Sequence, residues 1–175
     1  MALALPPECF VAFAYYKNLS AAKKRIYRRS DKIHSIRSPQ AAQLRPLATK
    51  LEKALKMENK QLARSLCQRI ADGITSDLNV PKVHVDVLAV RPHDETSELH
   101  GLYTREEGRQ ANIRLWIRTA ERKKIVAFRT FLRTLLHELC HHFDYELLKF
   151  PDSLHTEGFY KRLSSLFNRL VPPKY

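Results

Sequence analysis

The sequence predicts an α+β domain: helices first, then a small antiparallel sheet of about three strands, then a long helix and a shorter closing one. Three observations carry this. Apolar residues recur at three- and four-residue intervals up to about residue 74, period-two alternation replaces them after Pro81, and the helical period returns after residue 119. At 175 residues with 44% hydrophobic content, the chain can bury a core without staples.

Taken in order, Ser20 is a natural cap for the helix opening at Ala21, and Ser38-Pro39 marks a break. From Ala41 to Ile74, Leu44, Leu47, Leu51, Leu55, Leu62, Leu66 and Ile70 outline one amphipathic helix or a helical pair, with one gap of seven residues after Leu55. Pro46 falls in the first turns, where proline is tolerated. Lys82–Val90 alternates and is rich in β-branched residues, so it reads as a strand. Leu99–Thr104 and Asn112–Arg118 read as two more, joined by a turn at Arg105–Arg109. In the last strand Ile113, Leu115 and Ile117 make an apolar face opposite Arg114, Trp116 and Arg118. Packing beneath the N-terminal helices is the expected place for Trp116. A long helix is expected from near Thr119 to about Leu148, and a final one from Thr156 to Leu170, ahead of Pro172-Pro173. The organisation is a basic helical segment over 1–80 packed on a core over 81–175, in one compact unit.

Composition narrows the class. No stretch approaches the ~20 apolar residues that span a bilayer. Residues 1–9 lack a basic leader and are cut by Pro6, Pro7 and Glu8, a poor signal peptide. Cys9, Cys67 and Cys140 are too few and too scattered for a disulfide framework. A cytoplasmic location is the expectation. The formal charge is +13, and residues 1–50 alone hold ten Lys/Arg against Glu8 and Asp31. Such a front end suits a polyanion, DNA or RNA or an anionic membrane surface, or else a solvated helix that only keeps the chain in solution.

The chemistry-bearing motif is His137-Glu138-Leu139-Cys140-His141 in the long helix. Imidazoles at i and i+4 lie one turn apart on one face and can share a metal ion, zinc being the ion that neutral imidazole suits best. Glu138 lies about 100° around from His137, the place for a general base rather than a ligand. A catalytic zinc takes three protein ligands. His155 is the favoured third and Glu157 the alternative, both where the chain turns into its last helix. Asp144, three residues past His141, is placed to orient an imidazole, or less readily to ligate. His142 reads as a packing or surface residue, and His34, His84, His93 and His100 have no ligand spacing. Cys140 faces the core and is badly placed to close a fourth position.

Leu135-Leu-His-Glu-Leu-Cys-His141, followed by His155-x-x-x-Phe159-Tyr-Lys-Arg162, resembles the SprT-like zincin metallopeptidases and their compact bacterial relatives. The resemblance covers roughly residues 83–170. It implies one zinc ion at His137, His141 and His155, with Glu138 catalytic. Thr156 follows His155 where that pattern usually has glycine, here Gly158, and no cysteine-rich zinc ribbon follows the core. The hydrolase so implied needs a donor for the developing oxyanion, with Tyr160 and Tyr103 as candidates. It also needs an edge strand, 99–104 or 112–118, to pair with a protein or peptide substrate. The substrates could be proteins associated with nucleic acid. Two other readings fit the charge: a three-histidine zinc ribonuclease, which has no need of Glu138, and a non-catalytic nucleic-acid module with a structural zinc closed by a fourth ligand.

Overall fold

A computed structural model describes residues 13–92 and 99–172; residues 1–12, with Cys9, and His93 lie outside the described residues. After a short 3₁₀ turn at Ala14–Asn18, the elements run α1 (Ala21–Asp31), α2 (Arg45–Lys56), α3 (Lys60–Asp77), β1 (His84–Val90), β2 (Gly101–Thr104), β3 (Asn112–Arg118), α4 (Phe128–Glu146) and α5 (Glu157–Leu170). The fold is α+β, as the sequence predicts.

Local chemistry accounts for the boundaries. The Ser20 side chain accepts a bond from the Lys23 N–H and caps α1. The gap after Leu55 is a real break, and the region is a helical pair. Glu58 turns left-handed at φ 54°, and the Asn59 side chain then caps α3 by accepting from Leu62 N–H at 3.0 Å. The long helix starts later than expected, at Phe128. Residues 119–126 instead fold back on β3: Thr119 N–H donates to the Lys124 carbonyl, Val126 N–H to that of Ile117, and Lys123 takes φ 49°. The charged run Glu121–Lys124 has no apolar face to bury, so helix formation gains nothing there.

The sheet has three strands but is mixed rather than antiparallel. Its order is β1-β3-β2, with β2 antiparallel to β3 and β1 parallel to it. The turn after Thr104 makes the β2–β3 hairpin. β3 lies between β1 and β2, which are successive in sequence but not neighbours in the sheet. The central strand is the most buried of the three: Ile113, Leu115, Trp116 and Ile117 are all buried. One hydrophobic cluster contains Ile113, Leu115 and Ile117 together with Leu51 and Leu55 of α2, Ile70 and Ile74 of α3, Leu135, Leu136 and Leu139 of α4, and Phe159 and Leu166 of α5. Each such side chain contributes roughly 1.5–3 kcal/mol on burial. The segments before and after residue 80 thus share one core. Trp116 is buried but lies outside this cluster, on the sheet's other face, and so not beneath the N-terminal helices. No helix among the described residues is long and apolar enough to cross a membrane.

Two consequences position the site. β2 is an edge strand lying against α4, and α1 reaches across to the start of α5. There Gly158 N–H donates to Asp31 Oδ1 at 3.0 Å. A Cβ on Gly158 would stand 2.5 Å from the carbonyls of Ser30 and Asp31, so only glycine permits this approach.

Candidate metal centre

The helical repeat of α4 carries His137 and His141 on one face, and the loop before α5 brings His155 to them. The Nε2 atoms stand 3.2 Å apart for His137 and His141, 3.0 Å for His137 and His155, and 3.1 Å for His141 and His155. Nitrogens bound ~2.0–2.1 Å from one tetrahedral ion would stand roughly 3.3 Å apart, so the three imidazoles fit zinc. Phe159, fully buried, lies beneath all three rings at centroid distances of 4.9–5.1 Å. Burial first, and the neighbouring rings second, lower His137 to about 4 and His141 to about 3; burial also lowers His155. All three stay neutral at physiological pH, the form that ligates.

A chain of bonds sets the His141 tautomer. The buried Asp144 carboxylate accepts from Ser153 Oγ–H at 2.7 Å, which leaves the Ser153 oxygen to accept from His141 Nδ1–H, also at 2.7 Å. Nε2 is then the unprotonated nitrogen, facing the other two rings. Asp144 is therefore an orienting group, as expected, but one residue removed, through Ser153. Its other oxygen pairs with Arg162 at 2.8 Å, both side chains being fully buried. Arg162 also donates to the carbonyls of Ser30 and Ile33 at 2.7 Å each and to Ser30 Oγ at 3.0 Å. The network thus runs from the metal ligand into α1. His155 is tied to the same region: Tyr15 Oη–H donates to its carbonyl at 2.5 Å, and Lys23 pairs with Asp152 at 3.0 Å.

Glu138 lines the same cleft as the three rings and lies under the edge strand. It is 6% exposed, and burial pushes its carboxyl up to about 7, although the Tyr103 backbone N–H bonds to it. The strand can pass this closely only because residue 101 is glycine: a Cβ there would lie 2.6 Å from Glu138 Oε1. Tyr103 is held at its other end too. His142, buried, donates Nε2–H to the Pro81 carbonyl at 2.7 Å, so its Nδ1 accepts from Tyr103 Oη–H at 3.1 Å. That removes the Tyr103 hydroxyl from the candidates for an oxyanion donor. Tyr160 is 40% exposed, with its ring 5.9 Å from that of His155 and 6.2 Å from that of His137.

Other expectations sort as follows. Glu157 is turned to Lys161 at 2.8 Å and is not among the converging groups. Cys140 is buried in the core, and burial pushes its thiol up, so it supplies no fourth ligand. Among the described residues, the three histidines are the only group with ligand atoms clustered for a metal ion. Sequence reasoning missed the roles of Ser153, Arg162 and Gly101, whose partners lie on other elements. A cleft of about 350 Å³ opens over the centre, lined by Gly101, Tyr103, His137, Glu138, His141 and His155.

No curated protein and no solved structure matches this chain. The family model of the WLM domain does, over residues 46–172, a match that begins well upstream of residue 83 and takes in α2 and α3 with the sheet and both later helices. Three imidazoles converging from α4 and the α5 loop, and a match over most of its length, agree: the chain belongs to the WLM domain family, a metallopeptidase-like family.

Proposed function

We propose that this protein is a zinc-dependent metallopeptidase related to the SprT-like zincins. The observation that carries the reading is the meeting of three imidazole Nε2 atoms beside a buried glutamate tucked under β2, an edge strand among the described residues. His137, His141 and His155 would hold the ion. Bound zinc supplies Lewis acidity towards a carbonyl and brings the pKa of water from 15.7 towards ~7.

The chain's own residues do the rest. The free edge of β2 holds the substrate backbone as an added strand, which asks little of its side chains. Glu138 takes the proton of the attacking water on a carboxylate oxygen and returns it to the leaving amine nitrogen. A carboxyl lifted to about 7 suits both halves of that task. The Tyr160 hydroxyl donates to the developing oxyanion. Phe159 keeps the floor dry, which strengthens these interactions.

Glu138→Gln tests the reading. Metal analysis is expected to find one zinc per chain in wild type and variant alike, with cleavage of unfolded casein by the wild type only. A metal-free protein that cannot be loaded, or equal cleavage by the variant, overturns it. The basic residues of α1, Lys23, Lys24, Arg25, Arg28 and Arg29, support substrates associated with nucleic acid. Binding of DNA or RNA that does not weaken with added salt, or no binding, removes that part.

A further inference from the structure

The cleft continues past the histidines towards the N-terminal end of α4. There it widens into a recess of about 550 Å³ lined by Leu99, Thr130, Arg133, Tyr160 and Leu163 beside His137 and Glu138. Arg133 precedes His137 by four residues and so lies on the same helix face, about 5–6 Å along the axis.

Resting on the metallopeptidase reading, we propose that Arg133 is a specificity residue that binds a carboxylate of the substrate through its guanidinium group. Among the described residues no carboxylate pairs with it. Its Nη2 donates to Ser164 Oγ at 3.2 Å and its guanidinium lies over the Phe167 ring at 5.0 Å, contacts that hold the group in place and leave Nε and Nη1 without a hydrogen-bond partner among the described residues. Among the described residues Glu138 is the only acid lining the recess, and it is engaged by the Tyr103 N–H. Arg129, over the same Phe167 ring at 4.8 Å, adds positive charge nearby. An extended substrate advances ~3.3 Å per residue, so the carboxylate falls within about two residues of the bond that is cut. Leu99, Leu163 and Tyr160 would lie along its stem. Two sources offer this chemistry, an Asp or Glu side chain and a free chain terminus.

The test separates binding from turnover. Zinc-loaded Glu138→Gln protein is titrated with labelled, unstructured eight-residue peptides in which one Asp moves through every position, against the matching Asn set. A second pair differs only in a free or an amidated C-terminus. At one position the carboxylate is expected to bind about tenfold more tightly than its amide, as charged hydrogen bonds do. Adding Arg133→Gln abolishes the gain. Adding Arg133→Lys, which keeps the charge but not the planar fork, reduces it, and this variant decides the matter should the glutamine variant not fold. A gain with internal Asp identifies the side chain as source; a gain with the free terminus alone identifies the terminus. Equal binding of acid and amide, no binding of either, or a gain unchanged by substitution at Arg133 overturns the proposal. The same peptides offered to protein with Glu138 intact report separately on the function: carboxylate-dependent binding without cleavage would sink the peptidase reading and leave the carboxylate site standing.

Discussion

Ser153 links two parts of the site that the chain sequence keeps apart. Its oxygen takes the proton of His141 Nδ1–H on one side and gives its own to Asp144 on the other. Ser153→Ala leaves a buried carboxylate oxygen without its donor and frees the His141 ring to turn or change tautomer. The expected result is a zinc affinity 10–100-fold weaker, on the order seen when such supporting groups are lost, with helix content unchanged. Competition with a chromophoric chelator measures it, and an unaltered affinity would show that the ring needs no such support. Glu138 depends on its surroundings in the same way. Its identity and place on the helix were legible in the motif, but its burial under β2 was not. That burial depends on Gly101, thirty-seven positions earlier in the chain.

At the scale of elements, the joint between α1, α4 and α5 is the decisive one. Arg162 and Asp144 form an ion pair fully out of water, and the carbonyls of Ser30 and Ile33 accept further bonds from Arg162 Nη1. Burial lifts the Asp144 carboxyl, with Arg162 and Ser153 pulling against it. Arg162→Leu strands that carboxylate and is expected to destabilise the fold by about 3–5 kcal/mol. The double variant with Asp144→Asn, having no uncompensated charge, should recover part of the loss in denaturant unfolding. A full-sized loss in the double variant would point to packing instead of charge. The elements themselves were mostly readable. Alternation marked three strands, and the apolar period with Asn59 and Ser20 marked helices and their starts. The direction of β1 was not readable, because period two is the same for parallel and antiparallel neighbours. Nor was the start of α4 at Phe128, where pairing with β3 outweighs local helical preference.

For the molecule as a whole, the imidazoles partly shielded from water make the metal-free protein sensitive to acid. His137 and His141 sit at about 4 and about 3, and His155 and His142 are lowered by burial too, whereas in the unfolded chain each takes up a proton near ~6.5. The unfolded state therefore binds more protons below that pH. Their contribution to stability is complete above ~6.5 and is lost as pH falls towards 4 and below. Glu138, at about 7, and Asp144, raised, act in the opposite sense, their contributions being lost as pH rises. Four imidazoles oppose two carboxyls, so the melting temperature of chelator-treated protein is expected to fall between pH 7 and pH 5. A flat or rising profile over that interval would mean that the rings are not shielded as described. Zinc loading should raise the midpoint at pH 7, since a ligand bound only by the folded state stabilises it.

The amino-acid sequence alone determined the class of the fold, the helix that carries His137, Glu138 and His141, and the basic character of the first fifty residues. These follow from composition and from spacing within one element, which local geometry converts directly into a shared face. Only the tertiary structure brought the His155 ring rather than the Glu157 carboxylate to His137 and His141, tied the Tyr103 hydroxyl to His142, and brought Ser153, Arg162 and Arg133 to the site. Contacts between residues tens of positions apart arise from how whole elements pack, and packing is a property of the assembled core that no local period records.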